Sequence, residues 1–143
     1  MQIGFIGLGA VVETAYLPAL RRLGDVIDRC QGYDLDCSRA LPGIQRCSSL
    51  SALLAEPLDT LFITTSSLQH LPVLERALAS GISRIVVEKP IVANLEQAAR
   101  LRALLAPPEQ AARVLALDHW MARGVALNAP GPQWRAEGEA SRL

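Results

Sequence analysis

One short run of this chain, Glu88-Lys89-Pro90, brings together an acid, an amine and a fixed turn. It follows an apolar run, Arg84 to Val87 (RIVV), that reads as a strand. In parallel α/β sheets, ligands bind at the carboxyl ends of strands. Lys89 would there present an ammonium able to hydrogen-bond a substrate hydroxyl or polarise a carbonyl. Glu88 would hold the lysine in place, and Pro90 would fix the turn, in the trans or the cis form. The plainer alternative is a surface ion pair at a helix entry.

A second constellation opens the chain. Gln2 to Ile6 is a short apolar strand that runs into Gly7-Leu8-Gly9-Ala10-Val11-Val12. The first two glycines of a G-x-G-x-x-G turn are present between a strand and a helical pattern. Gly7 would permit the tight turn. Gly9 would let the backbone approach a pyrophosphate, and the free N–H groups at the helix start, from Gly9 through Ala10 and Val11, would face it. Val12 stands where Gly or Ala usually allows close packing of helix on strand, and is expected to push the helix outward. Asp34 follows the second strand near the offset of a ribose-binding acid. Its carboxylate would accept from the ribose hydroxyls and repel a 2′-phosphate, which favours NAD over NADP. Asp36 is a rival for that role, and Arg39 would soften the discrimination.

Two histidines remain. His70 falls in the first turn of a helix and either contacts the cofactor or caps its own helix. His119, beside Asp118 near the end of a last strand, looks like an acid–base pair. Adjacent strand side chains point opposite ways, however, which favours a structural role.

The elements that must position these residues alternate. Strands are predicted at 2–6, 28–33, 44–47, 60–64, 84–87 and 113–117. Helices are predicted at 10–23, from Cys37, from a Ser49 cap to Ala55, over 70–80 with a stop at Gly81, and from an Asn94 cap to Leu105. Such alternation with short connections implies a doubly wound parallel sheet of the Rossmann type, about six strands with helices on both faces. After Arg123 the pattern fails. Residues 1–123 are therefore expected to form a dinucleotide-binding domain, and residues 124–143 an irregular, mobile tail.

Composition narrows the partners. The 143 residues suit one domain, half of them are hydrophobic, and the formal net charge is zero, which argues against nucleic acid and an acidic membrane surface. No apolar stretch is long enough to span a bilayer. Cys30, Cys37 and Cys47 form no C-x-x-C pair, so zinc is not expected, and they read as small hydrophobes in a reducing cytoplasm.

Taken together, Gly7-Leu8-Gly9, Ala15-Tyr16-Leu17-Pro18-Ala19-Leu20, Thr64-Thr65-Ser66-Ser67-Leu68-Gln69-His70, Gly81 and Glu88-Lys89-Pro90 resemble the Gfo/Idh/MocA oxidoreductase family over residues 2–123. The resemblance implies NAD(P)-dependent hydride transfer, usually at a sugar, inositol or related hydroxyl carbon. It implies that the loop matching Thr65, Ser66 and Ser67 runs along the cofactor. It also implies that Lys89 touches nicotinamide ribose and substrate as the catalytic residue. Family members carry a second domain with the substrate pocket and a catalytic histidine, and this chain stops where that domain would begin. The expectations are little turnover by the chain alone, and a homodimer or a partner chain covering apolar surface near Val87, Ile91, Val92 and the last strand. A non-catalytic accessory or sensor module and a truncated gene remnant are the competing readings.

Overall fold

A computed structural model describes residues 1–117 of the chain. Six strands form one sheet: β1 (Gln2–Ile6), β2 (Arg29–Tyr33), β3 (Gln45–Arg46), β4 (Thr60–Ile63), β5 (Ile85–Glu88) and β6 (Val114–Leu117). Every pairing is parallel and the order is β3-β2-β1-β4-β5-β6. The order reverses between β1 and β4, so the crevice beyond their carboxyl ends is where such a sheet takes ligand. The helices are α1 (Leu17–Arg21), α2 (Leu50–Leu54), α3 (Ser67–Ala79), α4 (Leu95–Leu104) and α5 (Pro108–Ala111). A π-helical stretch, Val12–Tyr16, leads directly into α1, and a single 3-10 turn, Gly24–Val26, follows it.

Two apolar clusters lie on opposite faces of the sheet, as a doubly wound architecture requires. One joins Leu53 of α2 and Leu74 and Ala77 of α3 to Leu61, Ile63, Ile85 and Val87. The other joins Val12, Tyr16 and Leu17 to Ile3 and Phe5. β1 is covered on both faces, which is why it reads as a continuous apolar run rather than an alternating one. The caps expected at Ser49 and Asn94 are both made: Ser49 Oγ accepts from Ala52 N–H at 3.0 Å and Asn94 Oδ1 from Gln97 N–H at 2.8 Å.

Four expectations change. No helix follows Cys37; Asp36 instead accepts from the Ser38 N–H and hydroxyl and closes a turn. α3 begins at Ser67 rather than His70, with Pro72 inside its second turn. Pro108 opens a short helix, the position where a missing N–H costs nothing, instead of only ending the previous one. Val87 is fully buried and belongs to no exposed patch; Ile91 and Val92 are half-buried, while Leu115 of β6 stands exposed. The outer edge of β6 has no neighbouring strand among the described residues. Residues 124–143, and the Asp118-His119 pair, lie outside the described residues.

Two buried amide oxygens of the sheet, Gln2 Oε1 and Gln31 Oε1, lack a hydrogen-bond partner among the described residues, and Gln31 is the more deeply placed. Gln31, in the middle of β2 beneath α2, is buried, and its Oε1 has no hydrogen-bond partner among the described residues. An amide oxygen left unpaired in an apolar setting costs stability, whereas an apolar side chain of similar length does not. Gln31→Met should therefore stabilise the fold by about 1 kcal/mol in urea denaturation, and a destabilised variant would show that the amide is satisfied.

Candidate functional site

The turn after β1 is built around one residue that cannot carry a side chain. Gly7 has a φ of +93°, and a Cβ there would sit 2.7 Å from the Thr64 carbonyl oxygen. Thr64 closes the other side of this seam. Its N–H donates to Ile6 O at 2.8 Å, and its buried hydroxyl lies 2.6 Å from Gly7 O and 3.1 Å from Ile6 O. The first glycine is thus demanded by the backbone beyond β4, independently of any ligand.

Gly9 is different. Its φ is not positive, and a Cβ there would meet only Arg39 Nη1, at 3.7 Å. Its missing side chain leaves open a place in a cleft of about 740 Å³ lined by Gly7, Gly9, Ala10, Asp34, Thr65 and Ser66, among others. The N–H groups of Gly9, Ala10 and Val11 have no acceptor among the described residues. Three donors at a helix start, beside a gap that a Cβ would fill, make a cradle for an anion.

Asp34 faces the same cleft from the end of β2. Its Oδ2 accepts from Leu8 N–H at 2.7 Å and its Oδ1 from Asp36 N–H at 2.8 Å. Each carboxylate oxygen keeps a second lone pair, so two hydroxyls can still be accepted. Asp36, the rival, is exposed, accepts from Ser38 and lies 3.6 Å from Arg39 Nε; the Ser38 hydrogen bonds hold its carboxyl below the usual range. Arg39 and Arg76 both line the cleft.

The far end of the site is anchored through the protein interior. Val12 is fully buried, and the turn that carries it is π-helical: Leu17 N–H donates to Val12 O, five residues back. The wider turn accommodates a valine where Gly or Ala is usual. The same stretch delivers Tyr16 against the stacked Phe5 and Phe62, with ring centroids 6.3 and 4.9 Å away, and puts its hydroxyl 2.6 Å from Glu88 Oε1. Burial, reinforced by the hydrogen-bonded Glu88 carboxylate, pushes the Tyr16 phenol well above its ordinary pKa, so it donates. Glu88 Oε2 accepts from Lys89 N–H at 3.2 Å. Lys89 is exposed, does not line the cleft, and is joined to Pro90 by a cis peptide bond. Glu88 therefore holds the backbone of the lysine.

His70 neither lines the cleft nor caps its helix. It is buried, with Nε2 2.9 Å from Thr65 O and Nδ1 2.8 Å from Pro90 O. Sequence reasoning quoted Thr64 and Tyr16 within the family motifs without giving them a role, and it missed the cleft-facing side of α3. The spacing of Gln69, Pro72, Val73 and Arg76 was the available signal for that last feature, since it marks one helical face. Cys30 and Cys47 are half-buried and free, and burial raises both thiols.

Comparison with known proteins matches this fold. Residues 1–115 fit the family model described as an oxidoreductase family with an NAD-binding Rossmann fold, GFO_IDH_MocA. The chain belongs to the Gfo/Idh/MocA oxidoreductase family. It is 30% identical over 107 residues to YceM of Salmonella typhimurium, covering 73% of this chain and 34% of that one. The solved structure of the oxidoreductase yhhX superposes with a TM-score of 0.72 at 24% identity, covering 90% of this chain and 38% of that one. The dehydrogenase MviM of Clostridium difficile gives 0.65 at 19% identity, covering 90% and 44%. The chain thus spans little more than a third of the length of the first two relatives. No helix among the described residues is long and apolar enough to cross a membrane.

The two glycines should separate in experiment. Gly7→Ala places a Cβ against backbone at positive φ and should cost about 3 kcal/mol or more, read by urea denaturation. Gly9→Ala should leave stability nearly unchanged. Equal losses at the two positions would show that both glycines serve only the fold.

Proposed function

We propose that the cleft binds NAD(H) in preference to NADP(H), and that the chain serves hydride transfer at a sugar- or inositol-type carbon. The observation that carries the reading is the pairing of unfilled space at Gly9 with three unused N–H donors. Gly9, Ala10 and Val11 would hold the pyrophosphate. The remaining lone pairs of Asp34 would take the adenosine ribose hydroxyls, and its charge would oppose a 2′-phosphate. Thr65 and Ser66 would guide the nicotinamide end toward Lys89. The dinucleotide, when bound, supplies the hydride acceptor or donor. Lys89 Nζ would hold a proton at the substrate oxygen, and Glu88, fixed by Tyr16, would keep the lysine's backbone in register.

A second reading is a module that binds the dinucleotide without turnover. It is favoured by the exposure of Lys89 and Pro90, since hydride transfer needs a dry, oriented substrate. The two readings meet if another domain or chain closes over Lys89. The exposed edge of β6 with Leu115 supports association, as a homodimer or with a partner chain. Three free cysteines, two of them with thiols raised by burial, support a reducing cytoplasm.

Fluorescence titration tests the cofactor. NADH should bind more tightly than NADPH, and Gly9→Val should weaken NADH by about tenfold or more without lowering the melting temperature. Asp34→Ala also frees the Leu8 and Asp36 N–H groups, so the informative quantity is the NADH:NADPH affinity ratio, which should fall toward unity. Equal affinity of the parent for both nucleotides would remove Asp34 from the role. In steady-state assays with inositols and sugars, the 143-residue chain alone should show little turnover. Robust turnover that Lys89→Ala abolishes would overturn the second reading and make Lys89 catalytic.

A further inference from the structure

Among the described residues, His70 faces two acceptors and no donor. Its ring nitrogens lie 2.8 and 2.9 Å from the carbonyl oxygens of Pro90 and Thr65, and the side chain is buried. Carbonyl oxygens only accept. A neutral imidazole carries one N–H and satisfies one of them, leaving a ring lone pair against an oxygen lone pair at the other; the imidazolium donates to both. The two carbonyls belong to separate loops. Thr65 follows β4 and lines the cleft, and Pro90 follows β5 one residue after Lys89. Beyond the sheet's own hydrogen bonds, the ring is a direct bridge between the cleft wall and the lysine turn.

We propose that His70 is a positioning residue that ties the Lys89 turn to the Thr65–Ser66 loop, at both ends only as the imidazolium. That it positions Lys89 for chemistry rests on the dinucleotide reading above. The charged and titratable groups on the elements packed against α3 are Glu88 at the end of β5 with Lys89 beyond it, and Glu96, Arg100 and Arg102 on α4. β4 brings none, and Arg100 is already paired with Glu75 of α3 at 2.6 Å. Glu88, buried two residues before Pro90, is the acid of this group that shares the interior with the ring. A neutral ring must give up one of its two bonds, and the lysine turn and the cleft loop then uncouple.

Lys89 is the only lysine in the chain, which makes the test direct. Reductive methylation with 13C-formaldehyde places one dimethyl-lysine probe, at Lys89, distinct from the labelled amino terminus. In the nucleotide-free full chain, the Lys89 signal should move with pH at the same midpoint as the His70 ring nitrogens, followed by 15N correlation spectra. His70→Gln and His70→Phe should abolish that step and narrow the Lys89 line by about twofold, the mark of a freer turn. If a variant does not fold, the shared midpoint in the parent decides alone. A Lys89 signal that ignores the His70 titration, or keeps its step in a folded variant, overturns the proposal. NADH is then added to the parent as a separate arm: failure to bind removes the cofactor reading and leaves the ligand-free result standing.

Discussion

The seam where the end of β1 meets the end of β4 governs this molecule. Parallel strands bring two chain segments side by side at their carboxyl ends, and there the backbone of Thr64 occupies the space a side chain at position 7 would need. A glycine at positive φ resolves the conflict, and the Thr64 hydroxyl and N–H close the seam with hydrogen bonds to Ile6 and Gly7. Once the turn is fixed, the next three N–H groups emerge together at the mouth of the cleft. Asp34, bound to Leu8 N–H, holds the turn from the β2 side. The carboxylate proposed to read a ribose is therefore also a strut of the turn.

The site's other end is held by side chains from two helical segments. Tyr16 comes from the helix that follows the glycine turn and reaches Glu88; His70 comes from the helix that follows β4 and reaches Pro90. Lys89 sits between these two anchors while its own side chain remains exposed. The backbone at Lys89 is thus set by the scaffold rather than by the long side chain.

Much of this was legible in the sequence because the decisive residues are constrained by backbone rather than by distant packing. Gly7, the Ser49 and Asn94 caps and the stop at Gly81 each answer a local demand, so residue type and position were enough. The alternation of apolar runs with helical periods identified the six-stranded architecture. What escaped depends on contacts between distant segments. Tyr16 and Glu88 are 72 residues apart, and nothing local marks them as a pair. His70 read as either a cofactor contact or a cap because it falls in the first turn of its helix, yet its ring turns inward to two carbonyls. The π-helical turn at Val12 was foreshadowed only as a departure from the small residue usual there, and its relief by a wider turn is a tertiary solution. The missed helix at Pro108 and the false one after Cys37 are local ambiguities, since proline and small polar residues both start helices and close turns.

The most direct measurement of the central claim is a 1H–15N correlation spectrum of the chain titrated with NADH. The account predicts the largest shifts at the amides of Gly9, Ala10 and Val11, with Thr65 and Ser66 next. Leu8, whose N–H is already given to Asp34, should move less. Shifts centred instead on the smaller groove between Leu17 and Gly43, or no localised shifts at all, would contradict it.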